Sequence, residues 1–105
     1  MQPGSVNKLR LIAAIAERDV LRYTPAGIPI VSAMLQHSSE QVEANIPRQV
    51  EMEITAIAAG EISGSFNRAV LGEMFLFTGF LARKSRNSKR LVFHVTAFES
   101  ITPDH

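Results

Sequence analysis

From Arg48 to Ala59 the chain reads RQVEMEITAIAA, with Val50, Met52, Ile54, Ala56 and Ala58 alternating against Gln49, Glu51, Glu53 and Thr55. Successive side chains point to opposite faces of a β-strand, whereas helical periodicity would spread both sets around the axis. The segment is therefore a half-buried strand with the apolar set inward, and it commits the chain to a sheet.

The same reading finds its partners. In Lys8–Glu17, Leu9, Leu11, Ala13 and Ile15 share one face at period two, with Lys8 and Arg10 opposite; the alanines would also suit a helix. Thr24-Pro25-Ala26-Gly27 is a turn, because proline presets its own φ and glycine takes a positive φ cheaply. A second strand runs from Ile28 to Ser38, with Pro29 at its start. Ser39–Pro47 is polar and acidic and ends in a proline, so it is expected as a surface loop. Ile62, Phe66 and Val70 recur at helical spacing within Gly60–Val70, a short helical plug. Glu73–Ala82 and Leu91–Ile101, rich in β-branched and aromatic residues, are expected to form a hairpin around the basic stretch RKSRNSKR. Gly79 within that fourth strand admits two readings, a bulge that bends the strand or a merely tolerated glycine.

Five short strands with a helical insert between the third and fourth is the order of an all-β, five-stranded OB barrel. At 105 residues there is room for one hydrophobic core. The expected domain covers residues 8–102, with residues 1–7 as a flexible N-terminal tail that lacks the layout of a secretory signal. No apolar run approaches the roughly 20 residues of a membrane-spanning helix. The absence of cysteine removes disulfides and thiolate metal sites and fits a reducing, cytoplasmic setting.

Catalytic chemistry finds no footing. There is no GxSxG elbow or SxxK pair, and no phosphate loop of the GxxxxGK[ST] or GxGxxG kind. His37, His94 and His105 lack metal-ligand spacing, and the first two read as structural histidines. Glu51 and Glu53 at i, i+2 are ordinary outward polar positions. No cofactor, no metal and no enzymatic activity are expected.

What remains is charge distribution. The net charge is only +1, yet Arg83, Lys84, Arg86, Lys89 and Arg90 lie together without an acid among them. Alone, such a loop could be a solvated hairpin tip. Between strands four and five of an OB barrel it would wall the binding groove, where cations attract phosphates without any sequence code. Arg22 and Tyr23 before the turn and Arg48 entering strand three would extend that groove; Tyr23 serves either as a stacking surface or as ordinary packing.

At LRYTPAGIPI, LQHSS, GFLARKS and LVFHVTAFESI the chain resembles the primosomal replication protein N (PriB) family, OB-fold relatives of single-stranded DNA-binding proteins. The resemblance covers nearly the whole chain. It implies a non-catalytic homodimer that binds single-stranded DNA and supports the PriA helicase at stalled replication forks, with other primosome proteins as further partners. By position, Arg83, Lys84, Arg86, Lys89 and Arg90 inherit a phosphate-contacting role. Enterobacterial members carry tryptophan where this chain has Glu51 and lysine where it has Tyr23, which implies weaker binding on the strand-three side and partial compensation by Tyr23. An interaction module that mainly docks the helicase, with vestigial DNA binding, is the alternative. Ile12, Ala14 and Ala16, on the outer side of the first strand, leave apolar surface for a second copy to cover.

Overall fold

The computed structural model describes residues 4–101. Residues 1–3 of the expected tail, the domain's last expected residue at 102, and His105 lie outside this range. Strands β1 (Leu9–Arg18), β2 (Arg22–Tyr23), β3 (Pro29–Glu43) and β4 (Ile46–Ala59) precede a helix, α1 (Ile62–Arg68), and strands β5 (Met74–Arg83) and β6 (Leu91–Ser100). The neighbour order is β1-β5-β6-β4-β3-β2, and β1 also pairs with β3. That second pairing closes β1, β3, β4, β5 and β6 into a barrel, the OB architecture expected. β2 is a two-residue side strand on β3.

Closure depends on β1 serving two neighbours. Its first half, Leu9 to Ala14, pairs with β5; its second half pairs with β3 from Ala14 to Arg18, with a register shift between Ile15 and Glu17. On the far side a short parallel rung joins Ala56 to Phe93 and Ile57 to His94. The Thr24–Gly27 turn forms as expected, with the Gly27 N–H donating to the Thr24 carbonyl at 2.8 Å and Gly27 at φ +86°.

The alternating residues supply the core. Leu11, Ala13, Ile15, Val31, Ala33, Leu35, Ala56, Ala58, Phe75, Phe77, Phe93 and Val95 are buried, which settles β1 as a strand. Phe66 plugs the barrel end, edge-on to Phe77 at 6.1 Å and to Phe98 at 5.8 Å between ring centroids. Burying such a ring contributes about 1.5–3 kcal/mol. Val70, expected on the same helical stripe, is instead 62% exposed. The helix stops at Arg68 and Ala69 turns to extended backbone (φ −62°, ψ 140°), so the stripe does not continue. The Arg18 guanidinium holds that exit, donating to the carbonyls of Phe66 and Ala69.

Gly79 is a required glycine. The β5–β6 register shifts between Thr78 and Gly79, and a Cβ at Gly79 would stand 1.8 Å from the His94 carbonyl oxygen. The bulge reading is the one the structure bears out.

Ser39–Pro47 is not a loop. β3 runs on to Glu43 and β4 begins at Ile46, so the strands form one long hairpin turned at Ala44 (φ 53°) and Asn45 (φ 66°). Two positive φ values in a two-residue connection match the twist of a hairpin. The pair flanking such a turn, Glu43 and Ile46, carries the hydrogen bonds and the next, Val42 and Pro47, does not. The missing N–H of Pro47 therefore faces an edge that no described strand occupies. The arm projects beyond the barrel, so Met52, expected inward, is 38% exposed, and its polar composition reflects solvent on both faces.

Candidate nucleic-acid interface

Cross-strand partners share a face, so the register identifies what stands together on the outside of the barrel. Ser32 on β3 lies opposite Ile57 on β4, and Ile57 lies beside His94 on β6. Arg22 on β2 pairs with Ile30, two residues before Ser32. Across the last hairpin His94 faces Phe80, Val92 faces Ala82, and Lys84 continues the same side. These elements enclose a groove of about 210 Å3 lined by Arg22, Ser32, Thr55, Ile57, Lys84, Val92 and His94. Two cations from opposite ends of the chain thus meet over a floor of hydroxyl and apolar groups.

The basic loop is short and internally braced. The Lys84 N–H donates to the Arg90 carbonyl at 2.9 Å, Ser88 N–H to the Ser85 carbonyl at 3.1 Å, and Arg90 N–H to Ser88 Oγ at 3.0 Å. With the backbone so occupied, the side chains of Arg83, Lys84, Arg86, Lys89 and Arg90 project outward, and all five residues are exposed. Among the described residues the ion pair is elsewhere, between Arg48 and Glu43. The loop's positive charge is therefore uncompensated by any direct carboxylate contact there.

The expected site residues divide. Arg22 and Lys84 come together in the groove. Arg86, Lys89 and Arg90 extend the charge along the loop, while Arg83, one residue before Lys84, points to the opposite face of β5. Tyr23 follows Arg22 and stands 68% exposed, outside the groove lining. Arg48 pairs with Gln41 on the other face of the arm and is engaged with Glu43. Glu51 and Glu53 do share the groove's face, opposite Ser38 and Gln36, and make its arm end acidic.

His37 is structural, as expected. It is buried, its Nδ1 lies 2.7 Å from the Ile12 carbonyl and its Nε2 lies 2.7 Å from Ser39 Oγ. A carbonyl only accepts, so in the neutral ring Nδ1 donates to Ile12 and Nε2 accepts from the Ser39 hydroxyl. His94 differs, because it lines the groove with its ring stacked on Phe80 at 4.9 Å and 2° between planes. Sequence reasoning passed over this pair. The signal available was parity: Phe80 and Lys84 on one strand, and Val92 and His94 on the next, share a side once the hairpin register is known. Among the described residues no group of three or more His, Cys, Asp or Glu side chains is placed to hold a metal ion, and no helix is long and apolar enough to cross a membrane.

Residues 7–97 match a family model described as "Another single-strand binding protein family". The replication restart protein PriB of Nitrosomonas europaea is 41% identical over 94 residues, 88% of this chain and 87% of that protein. The solved structure of PriB from Ralstonia solanacearum superposes with a TM-score of 0.87 at 43% identity, covering 93% of this chain and all of that one. The wild-type single-stranded DNA binding protein from Thermus aquaticus shares the fold with a TM-score of 0.72 at 17% identity, over 92% of this chain and 50% of that one. The barrel, the groove and these relatives converge: the chain belongs to the single-strand binding protein family of non-catalytic proteins, among its replication restart protein PriB members.

Proposed function

We propose that this protein binds single-stranded DNA along the groove between Arg22 and Lys84 and, as a homodimer in the cytoplasm, supports the PriA helicase in replication restart without catalysing a reaction itself. The observation that carries this is the meeting of Arg22 and Lys84 beside Ser32 and Thr55 on one open face. Cations there attract phosphates, hydroxyls donate to them, and no bond is made or broken. Arg86, Lys89 and Arg90 lengthen the attractive rim, with Arg83, Tyr23 and Arg48 as outlying contacts. For the dimer, Ile12, Met74 and Leu76 lie on the outer face of β1 and β5, away from the groove; Ile12 pairs with Leu76, and Ile12 and Met74 are exposed. An apolar surface of this kind favours a second copy.

Glu51 and Glu53 on the groove's own face favour a second reading, in which the loop mainly docks the helicase. Charge reversal at Lys84 and Lys89 separates the two. The first reading expects Lys84→Glu and Lys89→Glu to lower affinity for an oligothymidylate while the direct helicase contact survives. The second expects the reverse, and that result would overturn the first.

A further inference from the structure

We propose that the His94 ring, held flat on Phe80, is the groove's base-contact platform, against which an unpaired base stacks while Arg22 and Lys84 hold the neighbouring phosphates. The inference rests on the DNA-binding reading and deepens it.

Its basis is the way the β5–β6 hairpin is built. The register shift at Thr78/Gly79 re-aims the side chains that follow. Gly79 lets β5 approach β6 so closely that no Cβ fits against the His94 carbonyl. The next residue, Phe80, faces His94 as its cross-strand partner, and the two rings lie 4.9 Å apart and 2° from parallel. His94 lines the groove and Phe80, itself exposed at the outer surface, does not, so the imidazole stands between the phenyl ring and the groove. A base entering the groove would add a third ring to a stack that already exists.

Such pre-ordering favours binding, because a mobile side chain loses rotamer entropy when it is fixed against a ligand. Tyr23, 68% exposed and outside the groove, would bear that cost; His94 is already held. The ring also shares its groove with the cations Arg22 and Lys84. A nucleotide has the same layout, a flat base beside charged phosphates.

The test compares an oligothymidylate with an abasic oligonucleotide of the same length, binding to the full chain. The platform predicts that the wild type prefers the oligothymidylate. His94→Ala should lose about fivefold to a hundredfold on that ligand, the range for one stacked base, and change little on the abasic one. His94→Tyr, which keeps a ring, should stay close to wild type. The chain has no tryptophan, so His94→Trp adds a reporter whose fluorescence should be quenched by the oligothymidylate and not by the abasic strand. Equal wild-type affinity for both ligands, or an unquenched reporter in a folded variant that binds, overturns the platform and leaves the DNA-binding reading standing. If the wild type binds neither ligand, both fall.

Discussion

The outer face of β3 and β4 is one continuous surface with two unlike ends. At the barrel, Ser32, Thr55 and Ile57 lie between Arg22, Lys84 and His94, and the backs of the strands are sealed by Ala33, Leu35, Ala56 and Ala58. Out along the arm the same face carries Glu53 opposite Gln36 and Glu51 opposite Ser38. Its back there is Arg48, Val50 and Met52, which no core covers. One ladder thus has a rigid, cationic root and a solvated, acidic arm. Backbone pairing thus propagates a hairpin well beyond the core that anchors it, while the flanking cations stay at the root.

Damage to the root should have the largest effect. Phe66→Ala should cost about 3–5 kcal/mol, the usual loss for emptying a fully buried phenyl site. Gly79→Ala should cost about 3 kcal/mol, the upper part of the range for overpacking, because the new methyl meets backbone. Val42→Ala on the exposed arm should change stability by less than about 0.5 kcal/mol. Urea midpoints of the three variants check the ranking.

Next in size is the acidic end. Glu51→Trp removes repulsion toward phosphate and adds a stacking ring, so its affinity for an oligothymidylate should rise by about fivefold or more. Fluorescence anisotropy of a labelled strand reads this, and unchanged affinity would mean that DNA never reaches the arm. A modest effect of opposite sign is expected at the arm's turn. Ala44 sits at φ 53°, where an L-residue other than glycine or asparagine is disfavoured. Ala44→Gly should stabilise by about 0.5–1 kcal/mol, seen as a small rise in the thermal midpoint.

The barrel was legible in the sequence because its rule is local. Alternation in Lys8–Glu17 and Arg48–Ala59, the Thr24–Gly27 turn and the Phe66 plug each follow from nearby residues, and all of them form. Where a long-range fact decided the outcome, the reading failed. Ser39–Pro47 has the polarity of a loop, yet strand pairing needs only a partner backbone, and Ala-Asn is a far weaker hairpin signal than Asn-Gly. Met52 follows the inward alternation of Ile54 and Ala56 but lies beyond the core that would cover it. The site was half legible for the same reason. Lys84 stands in an obvious cationic run, whereas the stack of Phe80 on His94 depends on a register shift and a close approach at Gly79 that no single segment displays.

On the proposed reading, Arg22 and Lys84 together grip the phosphates of a single strand. Each phosphate neutralised on a single strand steepens the fall of log K with log salt by about 0.7. Binding of an oligothymidylate to the wild type should weaken linearly on that scale, and the Arg22→Ala, Lys84→Ala double variant should be shallower by about 1.4. A double variant with the wild-type slope would contradict the claim.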